Sequence, residues 1–389
     1  MGAAEFVFPN DHHVAWSIMI VLYPYITGLV AGAFIVSALY HVFEREVLQP
    51  VAKLALVTAL CFCAFATLPL LLHLHHPERA FNIMFTPNAT SAMAGFGFIY
   101  SFYMLLLLME VWLVFRPELV DRGNSLPGLP GAFYRCLTLG VTKVTRGSAM
   151  IDSWLIRALA ILGIPAACVL HGYVGFLFGA VKANPWWSTA LMPVIFLASA
   201  VASGIAALLV LYLWFCWRRK ITADADCVRE LSRYLWIALI VAVSLEGLEL
   251  LHMAYESGPE WHVLQTLLTT KLSVSYGLFQ VLIGSVCPFV LLCIATRPQV
   301  PVALMKKLSV ISGLLVLIQV FSMRWNVVIG GQLFSKSFRG FVEYQLPWEG
   351  REGLFAAGCV LVLPLLALEL LSRILPLWNE TERLDQAGE

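Results

Sequence analysis

Long apolar stretches recur about nine times along this 389-residue chain, each nearly free of charge. A bilayer core takes ~20 residues of helix to cross, and each stretch approaches or exceeds that length. They run over 16–40, 52–74, 93–115, 153–181, 188–217, 234–256, 272–296, 306–330 and 353–376. The fold class expected is therefore all-α, a polytopic transmembrane bundle of about nine spans, eight to ten allowing for a missed or split helix. Composition agrees: 60% of residues are hydrophobic and 13% charged, where a soluble domain is about half apolar and about a quarter charged. A net charge of +1 speaks against a nucleic-acid surface. The nine cysteines lie mostly inside apolar runs (Cys61, Cys63, Cys168, Cys216, Cys287, Cys293, Cys359), with no CxxC, no CxxCH and no spaced Cys/His set. Neither a thiolate cluster for iron–sulfur or zinc nor a c-type haem attachment is expected.

Loop charge sets the orientation. Lys and Arg crowd the links after the third span (Arg116, Arg122, Arg135, Lys143, Arg146), the fifth (Arg218, Arg219, Lys220, Arg229) and the seventh (Arg297, Lys306, Lys307), with Arg45 and Lys53 after the first. The other links carry little: Arg79, Lys182 and Lys271, then Lys336, Arg339 and Arg351. This predicts an N-terminus outside and a C-terminus inside. Met1 to His13 lack a basic region and the first apolar block is too long for a signal peptide, so no cleavage is expected. We read residues 1–389 as a single integral membrane domain: a bundle over 16–376 and a cytoplasmic tail over 377–389. The link around Leu129–Gly140 reads as a cytoplasmic surface helix. A tight turn, Lys182 to Pro185, precedes Trp186 and Trp187, rings that favour the membrane–water boundary. Gly28/Gly32, Gly175/Gly179 and Ser199/Ser203/Gly204 space small residues for close helix packing.

Polar groups in lipid are costly and usually functional. Most fall toward the outer face: Asn10, Asp11, His12, His13 and Trp16 before the first span; His73, His75, His76 and Arg79 after the second; His171 and Tyr173 on the fourth, roughly 10 Å below the boundary at ~1.5 Å per residue. Glu246, Glu249 and His252 share one face of the sixth, and Arg324 lies on the eighth. The inner end holds His41, Glu44, Glu110 and Arg157. Blander roles compete: solvated interface histidines, an interface tyrosine, or a Glu249–Arg324 ion pair that only locks two helices. An Asn, two His and a Tyr on outer-half elements nevertheless suit a quinone headgroup. Its carbonyls take donors, and its reduction takes two protons that histidine can relay.

Three stretches resemble the NrfD/PsrC family, the membrane subunits of polysulfide reductase-type complexes. They are His75-His-Pro77-Glu78-Arg79-Ala-Phe81-Asn82 with Pro87-Asn88-Ala-Thr-Ser91, the segment His171–Gly204, and Asn10–Trp16. Within the family, Phe8-Pro-Asn-Asp-His-His, Leu22-Tyr-Pro-Tyr-Ile-Thr-Gly28 and Arg324-Trp-Asn-Val-Val-Ile-Gly-Gly-Gln332 are most similar to the DsrP-type subunit of the sulfite-reductase-associated electron transport complex. The resemblance implies a subunit of a respiratory-type oxidoreductase complex that binds menaquinone or ubiquinone near the periplasmic face. It implies a ferredoxin-like iron–sulfur partner there, together with further membrane and redox subunits, no metal centre of the protein's own, and a place in the cytoplasmic membrane of a prokaryote. Asn10, His13 and Tyr173 match the family's quinone pocket. To these, depth and spacing add His171 as a quinone contact and Glu246, Glu249, His252 and Arg324 as a proton path. The loop departs from the family's usual Asp-Leu-Gly-Arg-Pro, reading His73-Leu-His75-His76-Pro77, and the simplest members have eight helices. Two other readings stay open: a haem-b cytochrome with His171 and His252 or His73 as ligands, and an anchor or transporter without a redox role.

Overall fold

The computed structural model describes residues 14–88, 90–184, 186–333 and 340–378. Among them are nine helices long and apolar enough to cross a membrane: α1 Ile18–His41, α2 Glu46–His73, α3 Ala92–Ser125, α4 Arg146–Gly179, α5 Met192–Arg219, α6 Ala225–Glu256, α7 Ser273–Ala295, α8 Val302–Leu333 and α9 Leu354–Ile374. The expected spans are all present. α3 continues past its apolar core to Ser125 and α4 begins earlier, so the link between them shrinks. Within it the short helix Gly128–Leu137 forms, as the sequence predicts.

α1 is the axis of the bundle. It is apolar on every side, and a helix of that kind must be enclosed; it is buried along nearly its whole length, whereas α6 and α9 turn most of theirs outward. It packs against α2, α4, α5 and α8. The α1–α5 contact is backbone on backbone: a Cβ at Gly32 would run into Ala200 and Gly204, and one at Gly204 would run into Gly32. Without a hydrophobic drive between helices in lipid, such close approach supplies the dispersion contact that holds them.

The two ends of the bundle are tied differently. At the end where α1 finishes, long-range ion pairs dominate: Lys53–Glu118 at 2.6 Å, Arg116–Asp152 at 2.6 Å, Arg157–Glu44 at 3.0 Å and Arg218–Glu369 at 2.6 Å. At the end where α1 begins, aromatic rings and backbone carbonyls do this. Trp16 stacks on Trp187 with centroids 4.9 Å apart and planes 3° from parallel. The Trp187 indole N–H donates to the Val327 carbonyl (2.6 Å) and Asn184 donates to that of Gly331 (2.6 Å). Trp186 and Trp187, expected with their rings between two phases, are only 6% and 3% exposed. Trp187 serves as an internal anchor, because the Val327 carbonyl of α8 accepts the indole proton that water would otherwise satisfy. Val327 lies where α8 widens into a π-helical turn, Asn326–Gly330; α7 is wound the same way over Ser273–Val286.

Candidate functional site

A cleft of about 830 Å³ opens at the end where α1 begins. Its walls come from Trp16 just before α1, α1 itself (Ile20, Tyr23), the end of α2 and its following loop, the first turns of α3, and the end of α4 (Leu177, Phe178). The lining is mostly apolar with a few polar tips, and both volume and character fall in the range of pockets that take drug-sized ligands. Tyr23 is 2% exposed, and its hydroxyl has no hydrogen-bond partner among the described residues. Its ring meets Phe96 edge-on with centroids 5.2 Å apart. The Tyr100 hydroxyl donates to the Cys63 carbonyl at 2.6 Å. His73, His75, His76 and Arg79 lie on the wall near the mouth.

Tyr173 sits one helical turn from Leu177. Its hydroxyl donates to the Ala92 carbonyl at 2.8 Å, and a Cβ on Gly95 would strike it, so the glycine makes room for the phenol at the start of α3. Asn10 and His13 lie outside the described residues; the described part of the sequence begins at Val14, and Trp16 is already part of the cleft wall.

A second polar region lies across α1, among α4 to α8. Arg324 and His171 are both fully buried. The Arg324 Nη2 lies 3.2 Å from His171 Nε2, and it donates to the Ser199 hydroxyl (2.7 Å) and the Phe196 carbonyl (3.1 Å). The guanidinium also lies 3.7 Å from the centroid of the Phe196 ring, a desolvated cation–π contact. His171 is thus turned to Arg324 and is not on the cleft wall. That ring nitrogen faces a guanidinium rather than His252 or His73, the partners a haem would require.

Alongside runs a directional series of hydrogen bonds. The Ser275 hydroxyl donates to Asn326 (2.6 Å), Asn326 donates to Gln280 (2.7 Å), and Gln280 donates to Glu246 (2.9 Å). Gln319 donates to both Glu246 oxygens, at 3.1 and 3.2 Å. Every donor points toward Glu246, an arrangement that suits an ionised carboxylate. Ser275 and Gln280 belong to the π-helical part of α7 and Asn326 opens that of α8, so the wide turns present side chains to one another. π-turns of this kind are frequent at functional sites. Glu249 pairs with the Thr189 hydroxyl (3.2 Å), not with Arg324. Glu246 and Glu249 both line a cavity of about 40 Å³, room for one or more waters. His252 is exposed, 3.5 Å from Glu256.

The structure therefore gathers Glu246 with Glu249 and Arg324 with His171, and sets His252 outside them. Sequence reasoning passes over Tyr23, Gln280, Gln319, Asn326 and Ser199. A search for uncharged amides inside apolar spans would find three of these; nothing in the pattern marks Tyr23.

Fold and site together define a multi-pass membrane protein with a lipid-sized cleft at one end and a buried polar network beside it. Residues 8–336 match the family described as polysulphide reductase, NrfD, and the protein belongs to that family. It is similar to a selenate reductase subunit of Mesobacillus selenatarsenatis, 30% identical over 394 residues, covering 96% of this sequence and 88% of that one. A polysulfide reductase polypeptide of Wolinella succinogenes is 25% identical over 330 residues, covering 82% and 95%. The Hdr-like menaquinol oxidoreductase integral membrane subunit of Archaeoglobus fulgidus is 24% identical over 335 residues, covering 84% and 73%.

Proposed function

We propose that this protein is the quinone- and quinol-binding membrane subunit of an oxidoreductase complex. It exchanges electrons between the membrane quinone pool and a ferredoxin-like iron–sulfur partner subunit on the periplasmic face. The observation that carries this reading is the cleft: about 830 Å³, largely apolar, between helices in lipid. A ring of headgroup size fits there beside the free hydroxyl of Tyr23, and an isoprenoid tail can leave between helices. The name of the Archaeoglobus relative, a menaquinol oxidoreductase subunit, supports menaquinone over ubiquinone as the partner. That of the Wolinella relative, with the DsrP-like stretches, supports a place in sulfur metabolism.

In this reading Tyr173 acts from α4, and Asn10 and His13 act from the segment that leads into Trp16. Glu246, Glu249 and Arg324 form a proton path that ends at the exposed His252, supported by the small cavity that both carboxylates line and by the donors converging on Glu246. His171 works with Arg324 rather than at the headgroup.

Tyr173→Phe and His13→Ala are each expected to lower quinol turnover of the assembled complex about 10²-fold, the scale of a lost proton-transfer group. Assembly should be unchanged. Unaltered turnover in both variants rejects this pocket, and a Soret band in the purified protein rejects the quinone-only reading.

A further inference from the structure

His73 closes α2 at the mouth of the cleft. Its Nδ1 lies 3.2 Å from Glu352 Oε1 and 3.4 Å from the hydroxyl of Ser17, the residue that caps α1. Glu352 comes from the connection between α8 and α9, far away in sequence. It also lies beyond residues 8–336, the stretch that matches the family. Both contacts fall on Nδ1, and in the tautomer that carries its proton there the neutral imidazole keeps Nε2 as a proton acceptor. Nε2 has no partner among the described residues. The pair is only partly covered, His73 by four-fifths and Glu352 by two-thirds of its side chain, so protons can pass on to water.

We propose that His73 is the proton-exchanging group of the quinone site, with Glu352 as its positioning residue; this rests on the quinone reading above. In quinol oxidation the O–H bond of one quinol hydroxyl breaks and its proton passes to His73 Nε2. The second hydroxyl proton passes to water at the mouth, and the two electrons leave to the iron–sulfur partner. The imidazolium so formed is held by the Glu352 carboxylate until it releases its proton outward. Quinone reduction runs the same steps backwards.

Other ionisable groups face this corner. His75 and Arg79 line the cleft, and His76 is held at the surface by Glu78 at 2.9 Å. Tyr23 and Tyr100 stand deeper on the wall. The Tyr344 hydroxyl, beside Glu352, accepts from the Ile18 N–H at 3.3 Å, and burial raises its pKa from the usual phenol value. His76 also lines the cleft and meets a carboxylate, but that pair is mostly exposed, 62% and 64%, whereas His73 is four-fifths covered and its carboxylate comes from a remote segment.

The test uses the assembled complex and three readouts: quinol turnover, its solvent deuterium isotope effect, and binding of a heptyl hydroxyquinoline N-oxide, a quinol analogue, followed by tryptophan fluorescence. His73→Asn should cut turnover about 10²-fold and enlarge the isotope effect, with N-oxide binding kept. Glu352→Gln leaves the ring without its carboxylate and should lower turnover less, again with a larger isotope effect; Glu352→Asp keeps the charge and should recover part of the loss. Turnover and isotope effect of Glu352→Gln and His73→Asn that match wild type, with N-oxide binding intact, overturn the assignment of this pair alone. Should Glu352→Gln fail to assemble, His73→Asn with wild-type turnover overturns it equally. A wild-type complex that never binds the N-oxide sinks the quinone reading, and this inference with it.

Discussion

The two sides of α1 handle polarity in opposite ways. Toward α2 and α3 the bundle leaves space: a wide apolar cleft, with single hydroxyls and imidazoles spaced along its wall. Toward α5 to α8 it leaves almost none. There the charges of Glu246 and Arg324 are each wrapped by amides, hydroxyls, carbonyls and a ring, and the cavity between the carboxylates is some twenty times smaller. The contrast shows what each charge or ligand requires in lipid. A lipid-soluble guest needs room and few directional contacts. A buried charge needs every available donor or acceptor, because nothing else in the hydrocarbon can solvate it.

That contrast is most sharply broken at Arg324. Arg324→Leu strips the donors from Ser199 and Phe196 and leaves the Glu246 carboxylate without the nearby positive charge it interacts with. We expect a loss of ~3–5 kcal/mol, the cost of orphaning a buried charge, seen as a lower unfolding temperature in detergent. A smaller loss follows from Glu246→Gln. The amide retains the shape but turns donors toward Gln280 and Gln319, costing ~1–3 kcal/mol for groups left unsatisfied. Quinol turnover should survive in that variant while proton movement into vesicles is lost. Equal loss of both would mean that network and cleft act as one site.

On the cleft side the expected effects shrink. Tyr23→Phe removes a buried hydroxyl that has no partner among the described residues. Stability should hold or rise by up to ~1 kcal/mol, while quinone affinity falls up to about tenfold, ~1.4 kcal/mol. A clear destabilisation instead would show the hydroxyl to be structural. The smallest effect belongs to the surface, where Lys271 sits 2.8 Å from Glu343 and holds that carboxyl below the usual range. A depressed native pKa contributes stability above the unfolded value and loses it as pH falls through the native one. The difference in unfolding temperature between wild type and Glu343→Gln should therefore be slight at neutral pH. It should fade below about pH 4.3 and shrink with added salt.

Much of this is legible in the sequence. The spans follow from length and apolarity alone, since a bilayer admits few alternatives. The depth of His171, Glu246 and Arg324 follows from counting residues along a helix of fixed rise. Gly32 and Gly204 are visible as small residues in packing patterns, though not as each other's partners. The errors concern partners. Charge and level alone pair Glu249 with Arg324, yet rotation about the helix axis sends Arg324 to His171 and Glu249 to Thr189. Its chemistry puts Trp187 at a boundary, but a π-turn in a distant helix offers a carbonyl to the indole, and the ring is enclosed.

What the sequence determined by itself is what the solvent dictates: the spans and their apolar cores, and which buried residues must find company. Which company they find was decided only in the folded bundle. The close approach of α1 and α5, the widened turns of α7 and α8, and the reach of Glu352 to His73 all join residues remote in the sequence. Hydropathy is a property of each residue in turn, whereas a hydrogen bond depends on the azimuth and offset of two helices. Those are set by side-chain packing over the whole bundle at once.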